Sequence, residues 1–129
     1  MDGDSAAELI RQTEAARGYL NPGHRSLANE DPEFLQAYND LVGRALKHGA
    51  READQDDLPA KYRELVVCAL LAFRGEPESA IAGHLRRAMR LGATRGEVVG
   101  AFEAAMVPGG APTLLAGMRV LAGIDNPQG

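Results

Sequence analysis

Apolar residues recur at helical spacing along most of the chain, and glycine and proline interrupt them at intervals. Residues 5–17 carry a modest apolar face of Leu9, Ile10 and Thr13, and GYLNPGHR (18–25) breaks that run. Asp31-Pro32, an N-cap followed by proline at the first helical position, announces a second helix. Its stripe is Phe34, Leu35, Tyr38, Leu41, Val42, Ala45 and Leu46, and Gly49 closes it. READQDD (51–57) reads as a charged linker. A third helix opens at Leu58-Pro59 and runs to Arg74. Leu65, Val66, Ala69, Leu70, Ala72 and Phe73 are expected to be buried there, so the helix reads as central.

The fourth helix starts near Glu76-Pro77 and ends at Gly92, with Ile81, Leu85, Ala88 and Met89 inward. Thr94 and Glu97 form a T-x-x-E capping box for a fifth, which carries Val98, Phe102, Ala105 and Met106 and is ended by PGGAP (108–112). A last helix from Thr113 to Ala122 turns Leu114, Leu115, Met118 and Leu121 inward. Breaks this frequent leave no room for a sheet, and the pattern predicts a compact all-α domain of six helices. The expected division is an N-terminal helix and arm (1–30), a core (31–124) and a short tail (125–129).

The chain has 129 residues, enough for one domain with a core of its own. Its net charge of −4 offers no basic footprint for nucleic acid. No apolar run approaches the roughly 20 residues that span a bilayer. The N-terminal MDGDSAAELIRQ lacks an apolar signal core, so the expectation is a cytoplasmic protein with no membrane partner. The single cysteine cannot form an internal disulfide. Tryptophan is absent and aromatics are 5% of residues, while alanine is abundant. Small side chains favour close helix packing and suggest a core completed by self-association.

Few residues are suited to chemistry. His84 lies beside Ile81, Leu85 and Ala88, which points its imidazole at a packed region. It is either a satisfied core histidine or a general acid/base, since an ordinary histidine titrates near pH 6.5. Glu64 precedes Cys68 by one turn on the edge of an apolar surface. It is either a first-turn acid at a positive helix end or the carboxylate that orients His84. Cys68, within VVCALLA, reads as a small hydrophobe before it reads as a nucleophile. Arg63, Arg86 and Arg87 offer guanidinium groups, one of which would clamp an anionic substrate bidentately. His24 is placed at a site mouth by its turn, and His48 at a helix C-terminus, where a cation is favoured. No spacing in the chain makes a metal constellation or a phosphate-binding loop, so neither metal nor cofactor is expected.

L-x-x-K-x-R-E-L, an alanine-rich helix, and H-L-R-R-A-x-x-x-G-A-T-R-x-E-V together resemble the core of the carboxymuconolactone decarboxylase family. That family also contains the alkylhydroperoxidase D-type peroxidases. The likeness covers residues 34–122 and is most specific over His84–Val98. It implies a compact all-α fold of the alkylhydroperoxidase D-like type, assembled as a homo-oligomer, a trimer or a hexamer. In the peroxidase branch a Glu, a Cys-x-x-Cys pair and a His four residues later form the redox centre. Carried over from His84, the cysteine positions are Pro77 and Ala80, so both sulfurs are missing, while Glu64 and His84 match the relay.

The decarboxylase branch does without those cysteines. It implies loss of CO₂ from a small carboxylated lactone such as 4-carboxymuconolactone, without a cofactor. His84 would return the proton, Glu64 would orient it, and Arg63 or Arg87, with His24, would hold the anionic substrate. Val107-Pro108-Gly109-Gly110 departs from the aromatic and glycine those enzymes tend to carry in that turn, which puts the substrate in doubt. The alternatives are a non-catalytic small-molecule-binding or assembly protein on the same fold, and a thiol peroxidase using Cys68.

Overall fold

A computed structural model describes residues 3–49 and 56–125. Most of the expected linker and tail, residues 51–55 and 126–129, lie outside them. The described residues form seven helices and no strand: α1 (Gly3–Arg17), α2 (Pro22–Glu30), α3 (Pro32–Ala45), α4 (Ala60–Arg74), α5 (Glu78–Arg90), α6 (Arg95–Gly109) and α7 (Ala111–Asp125). The all-α expectation therefore holds, with one helix more than six.

The extra helix is α2, which occupies the segment read as a break. Asn21 caps it, its Oδ1 accepting the Gly23 amide at 2.7 Å, and Pro22 takes the first helical position. This is the logic that makes Asp31-Pro32 start α3, where Asp31 Oδ1 accepts the Phe34 amide at 3.1 Å. A proline beside a capping residue opens a helix as readily as it ends one.

The chain falls into two compact units, Met1–Ala50 and Arg51–Gly129. Where the sequence suggested a core beginning at 31, α3 groups with α1 and α2. In the N-terminal unit Leu9, Ala28 and Leu35 make a small apolar core. A polar chain links α1 to α3: the Arg17 guanidinium donates to Asn39 Oδ1, Asn39 Nδ2 donates to Thr13 Oγ1, and Thr13 donates to the Leu9 carbonyl. Thr13 and Arg17 are buried, so this chain meets the demand that buried polar atoms be partnered. The α3 stripe is only partly inward. Leu35 and Leu46 are buried, but Phe34, Tyr38 and Leu41 are exposed, with Arg17 lying over the Tyr38 ring.

In the C-terminal unit α4 packs against α5, α6 and α7, the central position its composition suggested. Leu65, Cys68 and Ala72 face Ile81, Leu85 and Ala88 of α5, Val98 and Phe102 of α6, and Val120 and Leu121 of α7 within one core. The full burial expected for α4 is not found, because Val66, Leu70 and Phe73 are about half exposed on its other side. Likewise Met106 and Leu115, expected inward, are exposed. A helix touched along one broad sector keeps the rest of its apolar circumference outside.

Two glycines set close geometry. Gly75 ends α4 at φ +74°, the left-handed conformation that lets the chain turn directly into α5. Gly117 lies so near the buried Phe102 ring that a Cβ there would run into it, which fixes the distance between α7 and α6. The Thr94–Glu97 capping box is formed as expected, with Glu97 accepting the Thr94 amide at 2.9 Å and Thr94 Oγ1 accepting the Glu97 amide at 3.0 Å. The Tyr62 hydroxyl donates to Glu97 Oε2 at 2.6 Å, tying the start of α4 to the start of α6. That bond, then the Thr94 amide, holds the Glu97 carboxyl below its ordinary pKa.

Candidate functional site

His84 and Arg87 stand three residues apart on α5, so they leave the helix on the same side. Across from them, Glu64 on the second turn of α4 is 1% exposed. Glu64 Oε1 lies 3.0 Å from His84 Nδ1, and Glu64 Oε2 lies 3.3 Å from Arg87 NH1. Each carboxylate oxygen thus has its own cationic or N–H partner, which makes burial of the group tolerable. Glu64 is not a first-turn acid stabilised by its helix end, since the first turn of α4 carries no acid.

The arrangement fixes a tautomer. A carboxylate only accepts, so the Nδ1 proton points at Glu64 and Nε2 becomes the working nitrogen. The His84 side chain keeps 15% of its surface exposed, so the ring is not sealed from solvent. Such a pair can take up or release a proton at Nε2 while the ring is held in one orientation.

The other expected site residues go elsewhere. Arg63 turns back on its own connection, its Nε donating to the Leu58 carbonyl at 2.7 Å and its NH2 pairing with Asp56 at 3.2 Å. His24 belongs to the N-terminal unit as the third residue of α2, where its Nδ1 accepts the Asn21 amide at 3.3 Å. Its imidazole is depressed from its ordinary pKa, first by burial and then by Arg17. Of the five residues proposed from sequence, Glu64, His84 and Arg87 come together and Arg63 does not join them; His24 belongs to the other unit.

Cys68 is fully buried one turn beyond Glu64, its Sγ 3.8 Å from the Ile81 carbonyl oxygen. Burial, then the Glu64 charge, pushes its thiol up to about 12. Almost no thiolate exists at neutral pH, and the peroxidase reading through Cys68 loses its nucleophile. Among the described residues no three His, Cys, Asp or Glu side chains group as a metal site.

Two hollows open on the C-terminal unit. One of about 540 Å³ lies between α4 and α6, lined by Tyr62, Leu65, Leu70 and small residues of α6. The other, about 490 Å³, lies between α5 and α7. Neither is lined by His84 or Glu64. The second joins residues of two helices that are not consecutive in the chain, so no local spacing points to it.

No curated protein sequence matches the chain. A crystal structure from Burkholderia xenovorans LB400, of a protein provisionally named a carboxymuconolactone decarboxylase, is similar with a TM-score of 0.75 and 26% identity. The similarity covers 97% of this chain and 94% of that one. The model of the carboxymuconolactone decarboxylase family matches residues 32–123, which take in α3 through α7 and the Glu64–His84–Arg87 cluster. On that match, and with an all-helical fold shared over nearly its whole length with that crystal structure, the chain belongs to the carboxymuconolactone decarboxylase family.

Proposed function

We propose that the protein is a decarboxylase-like enzyme acting on a small carboxylated lactone or related acid, with His84 as the proton carrier and Glu64 as its positioning residue. The observation that carries this reading is the 3.0 Å contact between His84 Nδ1 and the buried Glu64 carboxylate, on a histidine whose ring still reaches the surface.

The chemistry asks little of a protein beyond that. The bond between the ring carbon and the carboxylate breaks, CO₂ leaves, and the electron pair passes through the unsaturated lactone to its carbonyl oxygen. The resulting enolate takes a proton at carbon from Nε2–H of the His84 imidazolium, which leaves the neutral ring with its Nδ1 proton directed at Glu64, and solvent then returns a proton to Nε2. Because the lactone is its own electron sink, the step needs no cofactor. Catalysis then rests on stabilising the enolate and on the position of the donor. Arg87, engaged by Glu64, serves the pair rather than the substrate in this scheme.

CO₂ release from 4-carboxymuconolactone and a panel of related lactone and β-keto acids tests the reading. Turnover that disappears in a folded His84→Ala variant supports it; no release from any member of the panel overturns it. A non-catalytic binding role on the same fold is the second reading. It is favoured by the two hollows of the C-terminal unit, neither of which touches His84. The proposal includes assembly as a trimer or hexamer of identical chains, consistent with the apolar face that Val66, Leu70 and Phe73 leave on α4. Sedimentation velocity at micromolar concentration checks it, and a monomer throughout would remove it.

A further inference from the structure

We infer a second site on this protein, a receptor for an organic monocarboxylate with an apolar body, in the hollow between α5 and α7. The hollow measures about 490 Å³, within the range of small-molecule pockets. Ser79, Ala82 and Arg86, at positions i, i+3 and i+7, bring one face of α5 to it. From α7 come Arg119, Val120 and Ile124. His84 and Arg87 leave α5 on a different side, so this site is distinct from the Glu64–His84 cluster and stands whether or not the protein is a decarboxylase.

The charges in the hollow do not cancel. Arg119 Nε is 2.9 Å from Glu78 Oε1, an exposed pair that joins the first turn of α5 to α7. Arg86 lines the same hollow, and no carboxylate among the described residues pairs with it. One acid and two guanidiniums leave an excess positive charge, in a chain whose net charge is −4. No side chain caps the α5 N-terminus, whose partial positive charge adds to the same sign.

Two guanidinium forks favour a carboxylate, which each can meet through parallel N–H···O bonds. The remaining lining of Ala82, Val120 and Ile124 is apolar and suits a hydrocarbon or aromatic body more than a bare inorganic ion. Glu78 already presents a carboxylate to Arg119, so in the empty hollow it acts as an intramolecular competitor. A ligand carboxylate would bridge Arg86 and Arg119, displacing Glu78 toward solvent.

That competition supplies a test that loss of folding cannot imitate. The full-length protein is titrated with benzoate, and separately with inorganic phosphate, while backbone amides are followed by ¹H–¹⁵N NMR. Saturable shifts with benzoate are expected around Ser79, Ala82, Arg86, Arg119 and Val120, with little response to phosphate. Each exposed guanidinium–carboxylate contact is modest, so Arg86→Gln should weaken binding by roughly two- to fivefold. Glu78→Gln should tighten it by about threefold, because the competitor is gone. Absence of saturation, shifts confined to the Glu64–His84 side of α5, or a phosphate response as strong as that to benzoate would each overturn the inference. So would unchanged affinity in Arg86→Gln, or no gain in Glu78→Gln.

Discussion

Replacing Glu64 by glutamine removes one charge from a buried cluster while keeping its shape, and the consequences can be worked out from the distances. The amide oxygen can still accept from His84, but Arg87, 7% exposed, loses the Glu64 charge. At 3.3 Å the gross attraction between Glu64 and Arg87 is about 5 kcal/mol for an effective dielectric of ~20. Desolvation of the two groups offsets much of it when the pair forms. Deleting one partner of a buried ion pair costs about 3–5 kcal/mol, because the remaining charge has lost compensation for its burial. Glu64→Gln should therefore destabilise the protein by about 3 kcal/mol or more. Arg87→Met should cost less, because Glu64 Oε1 still accepts from His84 Nδ1.

The double variant removes both charges of the pair. It should be more stable than the sum of the single effects by at least about 2 kcal/mol. Urea unfolding at pH 7 measures this, at one protein concentration throughout so that any self-association contributes equally. A Glu64→Gln variant within about 0.5 kcal/mol of the parent, or strict additivity in the double variant, would refute the claim that these charges depend on one another for burial.

Three further outcomes are expected. Cys68 keeps its proton in the folded chain up to about 12, whereas the unfolded thiol releases it from near 9. Stability should therefore fall as pH rises through that window, at about 1.4 kcal/mol per pH unit, and Cys68→Ala should lack this slope; parallel alkaline unfolding curves would refute it. Gly117→Ala pushes a methyl group into the Phe102 ring and should cost about 1–3 kcal/mol in urea unfolding, and a neutral result would show that α6 and α7 can separate freely. Thr94→Ala breaks the capping box of α6 and should lower stability by about 1 kcal/mol, with Thr94→Asp within a few tenths of the parent.

The sequence made the pieces of the candidate site legible without showing their assembly. His84 and Arg87 share a face by spacing alone, yet both possible roles of Glu64 remained open until α4 and α5 were packed together. Arg63, adjacent to Glu64, was as good a candidate on paper; a rotation of about 100° along the helix directs it to Leu58 and Asp56 instead. A turn at NPGHR would present His24 at a site mouth, whereas Asn21-Pro22 starts α2 and makes His24 part of its capping box. Arg86 stood among the candidate anion clamps by residue type alone, and only the packing of α5 against α7 places it beside Arg119.

Helix boundaries came out of the chain itself because caps, prolines and left-handed glycines act within about four residues of where they stand. Asp31-Pro32, Thr94 with Glu97, and Gly75 need no distant partner to do their work. Burial followed other rules. The apolar stripes of α3 and α4 are wider than the surfaces that cover them, so Leu35 and Leu65 lie inside while Leu41 and Leu70 do not. Only tertiary structure chose among them, and only it set Glu64 against a histidine 20 residues away and Arg119 against a glutamate 41 residues away. Local signals fix where a helix begins and ends. Which of its faces meets which neighbour depends on how the helices cross, and a one-dimensional pattern does not encode that choice.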